Sequence, residues 1–196
     1  MELSSTSLIL ASASPRRREL LAAMGVAFSV HSADIDETRN DSEAPEDYVV
    51  RLARQKAQQA ATDLNVSDHQ AVLAADTIVV QGGSVFGKPA DLDHAKRIWS
   101  ALSANKHQVM TAVCLLRDAK PQLKLSMTDV EFGRVTETQM IRYWDTGEPA
   151  DKAGAYAIQG FASAWVKQIS GSYSNVVGLP LREVNQLLTE INLNWL

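Results

Sequence analysis

The sequence predicts an α/β fold in which a mixed β-sheet is flanked by helices. Short apolar runs typical of buried strands occur at residues 7–11, 71–80, 107–116 and 123–132. Between them lie segments that open with helix-capping residues and carry apolar side chains at helical spacing. Because strands and helices are mixed rather than strictly alternating, we expect a mixed sheet.

The N-terminal part is predicted to contain two strands and two helices. Ser7 to Ala11 is typical of a buried strand, and Val26 to Ser32 is a second candidate. Ser14 is the expected cap of the helix between them, with a proline at its first position and Gly25 as its stop. A proline at position 45 is expected to open a long helix that runs roughly through Asp63.

The strongest strand signal, Ala71 to Val80, is followed by Gly82-Gly83, a pair typical of hairpin turns. The remaining predicted elements follow in order: a helix from Asp91 to about Leu102, strands at His107 to Leu116 and Leu123 to Phe132, a helix capped by Thr136 and ending near Gly147, a strand near Ala164 to Ile169, and a helix from Pro180. Since no internal repeat or long linker divides the chain, residues 1–196 are predicted to form a single domain.

Composition excludes several classes of protein. Of 196 residues, 45% are hydrophobic and 21% charged, and the net charge of -4 argues against a general nucleic-acid binder. The one cysteine, Cys114, lies in an apolar run, which excludes a disulfide framework and a cysteine zinc site. Without a basic N-terminal region or an apolar stretch of about 20 residues, the chain is expected to be cytoplasmic, with no membrane partner.

Three arginines occupy an electrostatically unfavourable place. Arg16, Arg17 and Arg18 lie in the first turn of a predicted helix, where unpaired N–H groups already carry partial positive charge. One interpretation points all three into solvent, at a cost of about a few tenths of a kcal/mol each. The other places an anion at the helix start, with the hydroxyls of Ser12 and Ser14 and one or two arginines directed at phosphate oxygens. This segment alone leaves both open.

Asp76 interrupts the apolar strand at residues 71–80. A buried carboxylate is costly unless it is paired or binds a metal. It is compatible with a structural role, in which it caps a turn or pairs with a lysine, and with a role as general base or metal ligand. Lys56 lies close in sequence to Arg51 and Arg54 on the long helix, where a solvated basic face is the simpler interpretation.

The segment from Gly82 to Pro89 nearly matches a phosphate-binding P-loop. We reject that assignment because Pro89 stands where Ser or Thr belongs and Ser84 to Phe86 is typical of the return strand of a hairpin. Lys88 remains a candidate point charge for a phosphate. Together, the hydroxyls, separated cations and acids able to hold a divalent metal suit a nucleotide or another phosphorylated small molecule.

Short segments spread along the chain form a more specific pattern. They are residues 10–17 (LASASPRR), 75–79 (ADTIV), 87–89 (GKP), 107–111 (HQVMT), 151–160 (DKAGAYAIQG), 171–173 (GSY) and 175–180 (NVVGLP). In this order they resemble the Maf family of nucleoside triphosphate pyrophosphatases, in its branch that prefers dTTP and UTP. The resemblance covers nearly the whole chain, from Leu8 to about Leu188.

This resemblance implies hydrolysis of a nucleoside triphosphate between its α and β phosphates, with a divalent cation, Mg²⁺ or Mn²⁺. It implies an elongated mixed sheet and two lobes around a deep cleft, a fold shared with the inosine triphosphatases. The implied role is house-cleaning of the nucleotide pool, and the family's name links it to septum formation. Because members often form dimers, a homodimer is left open.

By the same resemblance, Asp76 is the general base that activates water and, with Glu37, holds the metal. Members that prefer dTTP and UTP are similar to this chain at Arg17, Thr77 and Gln159, and the amide of Gln159 can both donate to and accept from a pyrimidine edge. The family's phosphate-binding positions correspond to Ser12, Arg16, Arg17, Lys56 and Lys88.

Two features lie outside the family pattern. Arg18 has no counterpart with a role in the family, so we expect it to be solvated. The family usually has Leu-Ser-Gly where this chain has Leu102-Ser103-Ala104, so the turn there is expected to differ slightly.

Two other functions stay open at this point. A non-catalytic nucleotide-binding regulator of cell division would use the same pocket without needing a general base. A phosphatase acting on another class, such as sugar phosphates, would release orthophosphate and never pyrophosphate. Binding to a nucleic acid polymer is disfavoured by the acidic balance of the chain.

Overall fold

The computed structural model describes residues 7–67 and 69–193. In this part of the chain the strands are β1 (Ser7–Ala11), β2 (Phe28–His31), β3 (Gln70–Gln81), β4 (Ser84–Phe86), β5 (Lys106–Arg117), β6 (Lys120–Phe132) and β7 (Val166–Ser170). The α-helices are α1 (Pro15–Ala23), α2 (Pro45–Asp63), α3 (Leu92–Leu102), α4 (Glu137–Trp144), α5 (Tyr173–Val177) and α6 (Leu181–Glu190). Among these described helices, none combines the length and the apolar character needed to cross a membrane.

The strands form a seven-stranded mixed sheet. Its order is β2-β1-β3-β5-β6-β7, and β4 pairs with β3 beside this path. β1 runs parallel to both neighbours, with Leu10 opposite Val30 on one side and Leu73 on the other. β4 and β7 run antiparallel to β3 and β6. The predicted α/β class, with a mixed sheet flanked by helices, is confirmed.

Local sequence signals set several of the element boundaries. Ser14 caps α1, and the chain leaves that helix through Gly25, whose φ is +77°. Thr136 begins α4 with a reciprocal capping box to Gln139. Gly82 and Gly83 both adopt positive φ in the hairpin turn that joins β3 to β4. These helix starts and this hairpin lie where the sequence predicts them.

The strand predicted near Ala164 to Ile169 is present as β7, but it begins later than expected. Residues Phe161–Trp165 form a 3-10 helix, so β7 begins at Val166 rather than near Ala164. Ala162 and Trp165 are buried by this turn, and tertiary packing therefore overrides the local strand preference. The short helix α5 was also not predicted.

Contacts divide the chain into two compact units. Of the described residues, the first contains those up to Asp76, Thr111–Ser126 and those from Gly178 onward. The second contains Thr77–Met110 and Met127–Val177. Each unit is therefore assembled from segments that are distant in sequence.

Each unit has its own buried core. In the first unit, Leu10 of β1 and Leu21 of α1 belong to an apolar cluster that also includes side chains of α6. In the second unit, the core is aromatic, with the rings of Tyr143 and Trp165 4.9 Å apart. Cys114 is fully buried, and burial raises the pKa of its thiol to about 12, as expected for a core residue rather than a reactive one.

Candidate active site

A group of ion pairs in the first unit joins three of the predicted site residues. The Nζ atom of Lys56 lies 2.5 Å from Oδ1 of Asp76 and 2.6 Å from Oε1 of Glu37. The Lys56 and Asp76 side chains are 13% and 10% exposed, whereas that of Glu37 is 50% exposed. Lys56 therefore does not belong to a solvated basic face, because its ammonium group bridges two carboxylates.

Asp76 lies in the middle of β3 rather than at a strand end. Its neighbours Ala74 and Ala75 are fully buried. Burial raises the pKa of the Asp76 carboxyl, the positive charges of Lys56 and Arg17 oppose this, and the negative charge of Glu37 adds to it. A carboxylate with a raised pKa holds a proton more strongly, which suits a general base.

Hydrogen bonds at the start of α1 fix Arg17. The Ser14 hydroxyl accepts the Arg17 N–H at 3.5 Å. The Ser12 hydroxyl accepts from the Ser14 N–H at 3.2 Å and from the Arg17 guanidinium at 3.5 Å. Arg17 Nε also donates to the carbonyl of Gly178 at 2.8 Å. These contacts hold a cation and two hydroxyls at a helix N-terminus, a combination suited to an anion.

The three consecutive arginines have different surroundings. Arg16 and Arg17 are half-buried, whereas Arg18 is exposed. Burial lowers the pKa of the Arg17 guanidinium, and the negative charge of Asp76 opposes this. The solvated interpretation of these arginines therefore fits Arg18, and it does not fit Arg17.

Helix α2 also holds the backbone around Glu37. The Tyr48 hydroxyl donates to the carbonyl of Glu37 at 2.7 Å, and Arg51 donates to the carbonyl of Thr38 at 3.0 Å. Arg51 also donates twice to the Glu43 carboxylate, at 2.7 and 2.8 Å, and lowers its pKa to about 2. One helix thus carries both Lys56 and the side chains that position its partner.

Sequence reasoning missed this role of Tyr48 and Arg51. Of the residues on the predicted basic face, Arg54 is exposed, whereas Arg51 and Lys56 are half-buried. A usable signal was present, because Tyr48 and Arg51 are three residues apart and therefore adjacent on the helix surface.

The remaining predicted residues, Thr77, Lys88 and Gln159, belong to the second unit. Thr77 follows Asp76 along β3 and is half-buried. Lys88 is exposed after the β3–β4 hairpin, and α3 does not begin until Leu92. A P-loop would lead directly into a helix at this lysine, so rejecting the P-loop is confirmed. Gln159 is exposed in the loop that precedes the 3-10 helix at Phe161–Trp165.

The acids in the first unit fit a divalent cation shared with a phosphorylated substrate. Within the described residues, no three His, Cys, Asp or Glu side chains cluster so as to hold a metal alone. Asp76 and Glu37, however, each place a carboxylate oxygen within 2.6 Å of the same nitrogen. Mg²⁺ is usually held by one or two carboxylates together with substrate phosphates and water. The donor set therefore matches the chemistry of such a cation.

The α/β fold of this chain is similar to that of a protein whose structure has been solved. It is similar to the solved structure of the Staphylococcus aureus Ham1 protein, with a TM-score of 0.54 and coverage of 94% of this chain and 99% of that chain. The two sequences are 11% identical, so this likeness concerns the fold.

A sequence-family model described as Maf-like protein matches residues 7–191. The chain therefore belongs to the Maf-like protein family. It is 52% identical over 189 residues to a dTTP/UTP pyrophosphatase of Pseudoalteromonas atlantica, covering 95% of this chain and 97% of that protein. It is 51% identical over 185 residues to a dTTP/UTP pyrophosphatase of Anaeromyxobacter dehalogenans, covering 92% of each. A Hahella chejuensis protein of the same name is 48% identical over 186 residues, covering 95% of this chain and 92% of that protein.

Proposed function

We propose that this chain is a nucleoside triphosphate pyrophosphatase that hydrolyses dTTP and UTP to the monophosphate and pyrophosphate. Relatives that are about half identical over almost the full chain carry that name. The observation that carries the proposal is the buried Asp76 carboxylate, held by Lys56 beside Glu37 and within electrostatic reach of Arg17. The biological role that follows is house-cleaning of the nucleotide pool.

The chemistry assigned to Asp76 is general-base catalysis. Its carboxylate takes a proton from a water molecule whose oxygen attacks the α-phosphorus. The bond from that phosphorus to the bridging oxygen breaks, and the electron pair leaves with pyrophosphate. Burial, which raises the pKa of Asp76, suits this proton transfer because it moves the base toward neutral pH.

Other side chains of this chain bind and neutralise the phosphates. Ser12, Arg16 and Arg17 at the start of α1, together with Lys56 and Lys88, are assigned to phosphate oxygens. Fixed cations of this kind stabilise the negative charge that accumulates on the departing pyrophosphate. Asp76 and Glu37 would hold a divalent cation, which when bound supplies further charge stabilisation. Thr77 and Gln159 are assigned to the base.

A hydrolysis panel tests the proposal. The wild-type protein is incubated with dTTP, UTP, CTP, ATP, GTP and methylated GTP in Mg²⁺ or Mn²⁺, and pyrophosphate and orthophosphate are assayed separately. The expected result is pyrophosphate from dTTP and UTP in clear excess over the other nucleotides. Orthophosphate without pyrophosphate would favour a phosphatase of another class. Tight nucleotide binding without either product would favour the regulatory alternative.

A further inference from the structure

Two side chains of the second unit hold both ends of the loop that carries Gln159. The Tyr143 hydroxyl accepts the N–H of Ala157 at 3.0 Å and donates to Oε1 of Glu148 at 2.6 Å. Oε2 of Glu148 accepts the N–H of Phe161 at 3.4 Å. Ala157 and Phe161 are two residues before and two residues after Gln159, so this hydrogen-bonded pair fixes a five-residue segment around it.

The Glu148 carboxylate also lies directly against the loop backbone. A Cβ atom added at Gly160 would lie 2.0 Å from Oε2 and 2.3 Å from Oε1 of Glu148. No side chain fits in that space unless the carboxylate moves. A side chain at the residue after Gln159 would therefore displace the Glu148 carboxylate.

Tyr143 and Glu148 are themselves held in place by their neighbours. Tyr143 is 3% exposed, and its ring packs against Trp99 and Trp165 with centroids 5.4 and 4.9 Å apart. The backbone of Glu148 is held at both of its polar groups. Its N–H donates to the Thr146 hydroxyl at 3.2 Å, and its carbonyl accepts from Nζ of Lys152 at 3.0 Å. The loop is therefore tied to the aromatic core of the unit.

A rigid loop around Gln159 bears on how the protein distinguishes uracil from cytosine. Where uracil has an acceptor and then a donor along its Watson–Crick edge, cytosine has a donor and then an acceptor. A glutamine amide carries one acceptor and one donating group, so one orientation of the amide suits uracil and the reverse orientation suits cytosine. The amide selects between the bases only when one of these orientations is favoured, and a loop held at both ends keeps the surroundings of the amide constant, as a mobile loop does not.

We propose that Tyr143 and Glu148 are positioning residues that set the preference of this enzyme for uracil and thymine over cytosine. They act by holding residues 157–161, and with them Gln159, in one conformation. This inference rests on the proposed function, since it assigns Gln159 to the base.

The test compares UTP with CTP, which share the same sugar and phosphates. The ratio of kcat/KM for UTP to that for CTP is measured for the wild type, Tyr143→Phe and Glu148→Gln. We expect each variant to lower the ratio about tenfold, mainly through a higher KM for UTP, with kcat changed less. Gly160→Ala displaces the Glu148 carboxylate without changing its chemistry, and we expect it to lower the ratio in the same way. This variant replaces Tyr143→Phe in the test if Tyr143→Phe does not fold.

Matched controls separate positioning from general loss of stability. Tyr173→Phe and Glu137→Gln make the same chemical changes at exposed positions of the second unit, and they should leave the ratio within twofold of wild type. In a Gln159→Ala background, Tyr143→Phe should lower the ratio no further, because both changes act through the same amide.

The outcomes distinguish this inference from the proposed function. If the wild type releases no pyrophosphate from any nucleotide, the proposed function fails. If the wild type is active and selective but Tyr143→Phe, Glu148→Gln and Gly160→Ala all keep its ratio, the positioning role is overturned. A parallel fall in kcat/KM for both nucleotides, with a lower melting temperature and an unchanged ratio, also overturns it, because that is the result of a purely structural role.

Discussion

At the scale of single residues, the burial of Asp76 suits its proposed role as a base but makes its ionised form unfavourable for stability. Burial raises the pKa of its carboxyl above the ordinary value of 3.8, so the folded protein binds that proton more strongly than the unfolded chain does. The contribution of Asp76 to stability therefore falls as pH rises from 3.8 through the raised folded-state pKa. The fold tolerates the ionised carboxylate because Lys56 pairs with it.

Replacing Asp76 by asparagine should therefore cost little stability at neutral pH. We expect the urea midpoint of Asp76→Asn to be equal to or above that of the wild type. The matched change, Lys56→Met, leaves two carboxylates without their ammonium and should cost about 3 kcal/mol or more. If Asp76→Asn were the less stable of the two variants, the carboxylate would be a structural element of the fold.

The arginines of α1 allow a second prediction at this scale. Arg17 is fixed by Ser12 and Gly178 and lies within electrostatic reach of Asp76. Losing one charge-assisted contact to a phosphate should lower kcat/KM for dTTP about ten- to a hundredfold in Arg17→Ala. Arg18→Ala should remain within twofold of wild type, because Arg18 is exposed. Equal effects of the two substitutions on steady-state kinetics would contradict the assignment of Arg17.

At the scale of secondary structure elements, the turn after α3 contains one departure from the family pattern. Ala104, where the family usually has glycine, adopts a φ of +56° and donates its N–H to the carbonyl of Gly133 at 3.0 Å. This left-handed conformation favours glycine, since a Cβ atom costs about 1 kcal/mol or more there.

Ala104→Gly should therefore stabilise the protein by about 1 kcal/mol, measured by urea denaturation. Ala101→Gly, three residues earlier and inside α3, is the matched control and should destabilise it by about 1 kcal/mol. The turn account fails if both substitutions destabilise the protein equally.

Among the secondary structure elements, those whose boundaries depend on neighbouring residues could be predicted from the sequence. Helix starts at Ser14 and Thr136 and the Gly82-Gly83 hairpin depend on neighbouring residues, and the structure has them where local signals place them. The bridge from Lys56 to Asp76 and Glu37 could not be derived in this way, because its members come from three distant segments. The turn at Phe161–Trp165 was missed for the same reason, since burial of Trp165 determines it.

At the scale of the whole molecule, the core of the second unit makes stability depend on pH. His107 is 4% exposed, and its Nε2 lies 2.8 Å from the Tyr156 hydroxyl. Burial lowers the pKa of His107 from 6.5 to about 4. The unfolded chain therefore binds the proton first, and stability present above pH 6.5 is lost as pH falls toward 4.

Between about pH 7 and pH 5, this one histidine should remove about 2 kcal/mol of stability. His107→Gln keeps a hydrogen-bonding side chain that does not titrate, so its urea denaturation should change correspondingly less over that interval. If the variant and the wild type lost the same stability on acidification, the pH dependence would have to come from other groups.

In the proposed function, Asp76 is the base of a pyrophosphate-releasing enzyme. The most direct measurement follows dTTP binding and pyrophosphate release in parallel for the wild type and Asp76→Asn, with Mg²⁺ present. We predict that Asp76→Asn still binds dTTP, because the side chains assigned to the phosphates are unchanged. We also predict that Asp76→Asn releases pyrophosphate at least about a hundredfold more slowly. Release at the wild-type rate by Asp76→Asn, or binding without release by the wild type, would contradict the claim.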